Sequence, residues 1–358
     1  MSTGPVSLRP AGHPPVQKPR IGVLLMNLGT PEGTDYWNMR RYLKEFLSDP
    51  RVIEVPKAVW WPVLNGIVLT FRPSKSGHAY KTIWNEERNE SPLKTVTRAQ
   101  AEGVARALEE RYGAEIVVDW AMRYGHPAVA PAIQRMKDQG CDRILLFPLY
   151  PQYSATTTAT ANDQAFRKLM KMRWQPAVRT VPAYSDEPGY IDALARSVTR
   201  HLEGLDWTPD LVLASFHGLP KLYLDRGDPY HCFCVKTARL LRERLGWPEE
   251  RLRHSFQSRF GKAEWLKPYT DKTVEELARS GVKKIAIIAP GFSADCVETL
   301  EEIQGQVRDA FMAAGGEKFT YIPCLNDHPD HIAFLTGMVE RELAGWIGAA
   351  RKAAVAAE

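Results

Sequence analysis

A histidine ends an apolar run in LASFHGLP, residues 213–220, where His217 is followed at once by a Gly-Leu-Pro turn. Imidazole titrates near neutrality, so a histidine at the lip of a strand can accept a proton or hold a metal ion. A second group of chemistry-bearing residues lies in GFSADCVETLEEI, residues 291–303, where a short loop leads into Asp295, Glu298, Glu301 and Glu302. Glu298 and Glu302 are four apart and share one helix face. Such a carboxylate pair can carry protons or a hard cation. Acids in a first helical turn also suit the helix dipole without any chemistry, and many strand-end histidines are structural. What favours a site is where the chain puts the two groups together.

That placement follows from the elements around them. Apolar runs alternate with amphipathic stretches: IGVLLMNLG precedes a segment around 36–47, EIVVDWAMRYG precedes PAVAPAIQRMKDQG, and RILLFPLYP precedes a Thr-rich amphipathic stretch. DLVLASFHG then leads to VKTARLLRERLG, and KKIAIIAPG to VETLEEIQGQVRDAF. Strands alternating with helices imply βαβ units and a parallel sheet covered on both faces. The halves also resemble each other. VLLMNLGTP (23–31) pairs with VLASFHGLP (212–220), MRYG (122–125) with SRFG (258–261), and LLFPLY (145–150) with AIIAPGF (286–292).

The sequence therefore predicts an α/β protein of two similar doubly wound parallel-sheet, Rossmann-like domains facing across a cleft. The expected division is a disordered tail at 1–20, a first domain at 21–187, a second at 188–333, and a C-terminal helix and tail at 334–358. The helix, 334–347, is expected to pack back on the first domain. In such folds ligands bind beyond the carboxyl ends of the strands. His217 and the 291–303 segment both lie there.

Composition limits the function classes. Hydrophobic residues make up 44% and charged residues 25% of 358, a globular profile, and the net charge of +5 is scattered rather than striped. No nucleic-acid partner is expected; an anionic small substrate or membrane surface is compatible. Five cysteines, an odd number, together with no signal-like leader, suggest free thiols in a reducing compartment, the cytoplasm. VWWPVLNGIVLTF, 59–71, is strongly apolar; it reads either as a buried helix and turn or as an exposed lip for a membrane or a greasy ligand. GTPEG lacks dinucleotide-loop spacing, and neither GxxxxGK nor HExxH occurs. HCFC, 231–234, has no second cysteine pair in register and reads as structural thiols.

Taken together, SFHGLP, RGDPY (226–230), FQSRFG with WLKPYTD (256–271), PGFSADCVETLEEI, LMNLGTPE (25–32), MRYGHP (122–127) and PLYPQYSATTT (148–158) resemble the ferrochelatase family, in order over about 21–347. The resemblance implies two α/β domains around a porphyrin cleft and a lyase activity that inserts Fe(II), a substrate, into protoporphyrin IX, the last step of haem biosynthesis. It assigns His217 to accepting pyrrole protons or handling the metal, Glu298 to the acid opposite it, and Glu302 to the next acid on a helix distorted toward π geometry. It further implies a cleft pair in Arg123 and Tyr124, basic residues near the porphyrin propionates in Arg72 and Lys75, macrocycle contacts from Leu28, Phe292 and Trp265, and a matched position at Tyr80.

Two departures matter. Cys296 stands where many relatives carry a second histidine, so that histidine's metal role does not transfer. No cysteine follows Cys324, so no [2Fe-2S] cluster is expected. The motifs look proteobacterial, which favours protoporphyrin IX, with a cytoplasmic enzyme touching the inner membrane peripherally through 59–71. A chelatase placing cobalt or nickel in another tetrapyrrole, and a haem- or metal-binding protein without turnover, are the competing readings.

Overall fold

The computed structural model describes residues 10, 12–13, 16–259, 261 and 263–347. Most of the expected N-terminal tail and all of 348–358 lie outside the described residues.

The first lobe is built on strands β1 (Arg20–Gly29), β2 (Ile116–Tyr124), β3 (Cys141–Pro148) and β4 (Ala177–Thr180). The second is built on β5 (Leu211–His217), β6 (Leu252–Gln257), β7 (Lys284–Ile288) and β8 (Lys318–Ile322). The sheet orders are β2-β1-β3-β4 and β6-β5-β7-β8, the same order twice. Every pairing is parallel: Leu25 faces Trp120 and Phe147 in one sheet, and Ala214 faces His254 and Ile288 in the other. The three repeated sequence pairs thus occupy equivalent positions at the ends of β1 and β5, β2 and β6, and β3 and β7.

The apolar runs are continuous because both faces of each sheet are covered. Ile21, Val23, Leu25 and Phe147 of the first sheet share one buried cluster with Val212, Ala214 and Ile288 of the second. Between them lie helices Pro92–Tyr112, Pro188–Glu203, Tyr230–Arg244 and Pro329–Glu342, which contribute Val104, Leu194, Ala238 and Leu335 to that cluster. The opposite sheet faces pack on outer helices, Val129–Asp138 and Thr160–Leu169 in the first lobe, Thr270–Arg279 and the 298–313 segment in the second.

The last described helix differs from the expected 334–347. It runs Pro329–Glu342, opened by Pro329 at its first position and by His328, whose Nδ1 accepts from the Asp330 N–H at 3.2 Å. A boundary at 333/334 therefore cuts a continuous helix. The helix lies against Pro92–Tyr112, with Ile332 over Gly103 and Arg111 paired to Glu340 at 2.8 Å.

Segment 59–71 is neither wholly buried nor one regular helix. It spans helix Lys57–Val63, a π-helical turn Leu64–Val68 and the start of helix Leu69–Lys81. Leu64 and Leu69 are buried, while Val59, Trp61, Val63, Ile67 and Phe71 are exposed. Trp60 turns inward and donates its indole N–H to the Leu47 carbonyl at 2.6 Å.

Candidate active site

Strand β5 delivers His217 to the carboxyl edge of the second sheet, half-buried after six buried residues. Its Nδ1 lies 2.6 Å from the Gly218 carbonyl oxygen. A carbonyl only accepts, so Nδ1 carries the hydrogen and a neutral ring keeps its Nε2 lone pair available. The Tyr230 hydroxyl donates to the His217 carbonyl at 2.9 Å, fixing the backbone behind the ring.

After β7 the chain makes a buried loop and enters Glu298–Val307, ten residues of π-helix. In this i→i+5 winding, residues four apart rise nearly one above another, a geometry found often at functional sites. Glu298 and Glu302 share that face. The loop before them is anchored by buried Asp295, which accepts from the Tyr321 hydroxyl at 2.6 Å, the Asn326 amide at 2.7 Å and the Thr299 hydroxyl at 2.9 Å. Cys296, two residues before Glu298, is buried, and burial and the nearby Glu298 carboxylate raise its thiol well above the usual range. It is a neutral thiol where a second imidazole was absent from the sequence.

His217, Glu298 and Glu302 form one electrostatic group. Burial pushes the Glu302 carboxyl above its usual range; the Ser258 hydroxyl and the His217 ring oppose this, and Glu298 adds to it. Glu302 accepts the Ser258 N–H at 2.7 Å and also the Ser258 hydroxyl.

The first lobe supplies the facing wall. Tyr42, from helix Tyr36–Leu47, and Tyr80, from helix Leu69–Lys81, are buried edge to face with ring centroids 6.4 Å apart. Burial chiefly, then the Glu298 charge, raises the Tyr42 phenol; burial chiefly, then Tyr42 and Glu298, raises that of Tyr80. Arg72 is half-buried in this wall. Burial lowers its guanidinium below the ordinary range, opposed by Tyr42 and by Glu298. Lys75 is exposed on the same helix. Leu28 and Phe292 are half-buried and meet across the lobes in a cluster with Leu93, Met122, Ala294 and Cys296. Trp265 is half-buried against Gly218.

Arg123 and Tyr124 are anchored from within the first lobe. Both are buried at the end of β2. The Arg123 guanidinium lies 4.1 Å from the Tyr124 ring centroid, bonds Thr160 at 2.6 Å and is ion-paired to Asp49, which also accepts the Tyr124 hydroxyl at 2.9 Å. Arg123 Nε and Nη2 and the Tyr124 hydroxyl are engaged with Asp49 and Thr160, while Arg123 Nη1 lies 3.9 Å from Glu45 and has no hydrogen-bond partner among the described residues. Asp49, Tyr42, Gln257 and Ser258 were not singled out in the sequence. Gln257 and Ser258 carried a signal, polar residues at the end of a strand whose repeat partner bears MRYG; Tyr42 had none beyond helix periodicity, and Asp49, just past that helix, had none.

Two matching parallel sheets with helices between and outside them, and polar groups gathered at their carboxyl edges, define a two-lobed chelatase fold. Among solved structures it is similar to the SirB protein of Bacillus subtilis with Fe3+, with a TM-score of 0.55 at 13% identity over 92% of this chain and 98% of that one. It is also similar to the sirohydrochlorin chelatase SirB of Bacillus subtilis subspecies spizizenii in complex with cobalt, with a TM-score of 0.51 at 11% identity over 90% and 95% of the two chains.

The family model described as ferrochelatase matches residues 20–343, and the chain belongs to the ferrochelatase family. It is 62% identical to the ferrochelatase of Allorhizobium ampelinum over 94% of this chain and 98% of that one. It is 61% identical to that of Rhizobium etli over 96% and 100%.

Proposed function

We propose that this chain is a lyase that inserts Fe(II) into protoporphyrin IX to form protohaem, at a site built from His217, Glu298 and Glu302. The observation that carries the site is their convergence from two elements of the second lobe, facing Tyr42, Tyr80 and Arg72 of the first.

The reaction exchanges two pyrrole protons for one divalent ion. It needs a neutral base at the macrocycle and a route for protons away from it. His217 presents Nε2 for the first task. The same lone pair can meet the incoming Fe(II), and proton and metal then compete for it. Glu298 receives the proton or passes the ion, and Glu302 extends the path along the π-helix. Imidazole and carboxylate bind Fe(II) without the closed thiolate set that would retain it. Leu28, Phe292 and Trp265 supply apolar contact for the ring, Tyr80 lines the wall, and Arg72 with Lys75 faces the propionates. Arg123 and Tyr124 complete the cleft as the pair beside the porphyrin.

No [2Fe-2S] centre is part of this reading. Cys141 opens β3, Cys232 and Cys234 lie on helix Tyr230–Arg244, and Cys296 and Cys324 lie in the second lobe. Four of the five are buried. The exposed Val59, Trp61, Ile67 and Phe71 support peripheral contact of a cytoplasmic enzyme with the inner membrane. No helix among the described residues is long and apolar enough to cross a membrane.

The purified chain, given Fe(II), Co(II) and Ni(II) with protoporphyrin IX and with sirohydrochlorin, tests the substrate assignment. Preferential iron insertion into protoporphyrin is expected. Preference for cobalt or nickel in the other tetrapyrrole would replace it.

A further inference from the structure

Resting on that reading of the site, we infer that Gln257 and Ser258, at the end of β6, are the positioning residues that set the spacing between His217, Glu298 and Glu302. They belong to a motif that no part of the proposed chemistry uses.

The backbone carbonyl of Gln257 accepts the Gly218 N–H at 2.8 Å. Gly218 in turn holds the His217 ring through its own carbonyl, so Gln257 is one bond removed from the imidazole. The Gln257 side chain reaches the other way. Its Nε2 donates to the Glu298 carbonyl at 2.7 Å and approaches Glu302 Oε2 at 3.4 Å. Ser258 completes the clamp with its N–H on Oε1 of Glu302 and its hydroxyl on Oε2. Two consecutive residues therefore tie a strand-end histidine to the helix that begins at Glu298.

The orientation of the amide is set from below. Ser215 donates to Gln257 Oε1 at 2.7 Å and shares contacts with Thr270, which also meets Ser255 at 2.8 Å. All of these residues are buried. With Oε1 occupied by a hydroxyl donor, the amide N–H bonds point toward the Glu298 backbone carbonyl and the Glu302 carboxylate. A satisfied buried network rigidifies what it touches, whereas a broken one leaves polar groups unpaired. Ser258 also sits at φ +66°, a left-handed conformation uncommon outside glycine. Serine is held there because both its N–H and its hydroxyl bind one carboxylate.

The clamp's hydrogen bonds end on the acids and on the backbone beside the base. Its loss should therefore act on turnover rather than on porphyrin affinity. Gln257→Met keeps volume and removes both donors; Ser258→Gly keeps the backbone conformation and removes only the hydroxyl. For each variant, Zn(II) insertion into protoporphyrin is measured as separate kcat and KM values, beside the thermal midpoint and with His217→Ala and Glu298→Gln as references. A fall in kcat of about 10–100-fold for Gln257→Met is expected, the range for outer partners of metal-site ligands. A smaller fall is expected for Ser258→Gly, with porphyrin KM within about twofold in both. Should Gln257→Met not fold, Ser258→Gly carries the test. Wild-type kcat in folded Gln257→Met or Ser258→Gly, with the references inactive, overturns the inference alone. Wild-type kcat in the references as well overturns the reading of the site and the inference with it.

Discussion

Gly218 lies against the indole of Trp265: a Cβ on Gly218 would sit 3.2 Å from Trp265 Cε3 and 2.7 Å from the Gln257 carbonyl oxygen. The residue after the histidine is glycine because strand β6 and the Trp265 loop both close on its backbone. Gly218→Ala must move one of them, at about 1–3 kcal/mol for overpacking, and the His217 ring moves with its anchor. The expected result is a folded protein of lowered thermal midpoint whose chelation falls more than its stability. Unchanged chelation would show that the anchor does not orient the ring.

The Arg123–Asp49 pair offers a test of stability. Their side chains are 4% and 2% exposed. Removing one partner of such a pair strands the other charge, at about 3–5 kcal/mol. Asp49→Ala should therefore lower the denaturant midpoint strongly, while Asp49→Leu with Arg123→Met should recover much of the loss. A change below about 1 kcal/mol for Asp49→Ala would mean that the pair is solvated.

A third test uses His331, fully buried in helix Pro329–Glu342 between the lobes. Its Nδ1–H donates to the Asn326 carbonyl at 2.7 Å, and its ring is stacked on Phe334. Burial, with His328 adding to it, lowers its pKa from 6.5 to about 4. The unfolded chain thus gains a proton below pH 6.5 that the folded chain refuses. Its stabilising contribution is complete above that pH and is lost at about 1.4 kcal/mol per pH unit down to about 4. Urea midpoints at pH 7 and pH 5 should fall with acid more steeply in wild type than in His331→Met. Equal slopes would place the acid sensitivity elsewhere.

Much of this architecture is legible in the sequence. Runs such as VLLMNLG and LVLASFH are apolar on both faces because helices cover both sides of each sheet, and their repetition exposed the duplicated topology. His217, Glu298 and Glu302 stood out because polar residues at apolar strand ends need a reason. The clamp was less visible, since Gln257 and Ser258 acquire meaning only when β6 lies beside β5 and the π-helix packs over both. The Asp49 partner of Arg123 was equally hidden, since it lies seventy-four residues earlier in the chain. Such pairings depend on tertiary proximity that no local spacing encodes.

The exposed face of 59–71 yields another expectation. Trp61 and Phe71 are 66% and 72% exposed, whereas Trp60 is tied to Leu47. Replacing Trp61 and Phe71 with serine should reduce sedimentation with anionic vesicles and leave turnover on detergent-dispersed porphyrin intact. Replacing Trp60 should instead lower stability. Unchanged vesicle binding in the double variant would remove the membrane role.

The central claim is that His217 and Glu298 perform the insertion, and anaerobic turnover tests it most directly. Protoporphyrin absorbance is followed with Fe(II) for wild type, His217→Ala and Glu298→Gln, with porphyrin binding measured in parallel. Insertion by wild type is expected and, in both folded variants, a loss of about 10²–10⁴-fold, as for a removed general base, with porphyrin still bound. Undiminished turnover in His217→Ala, or a wild type that binds porphyrin and inserts nothing, would contradict it.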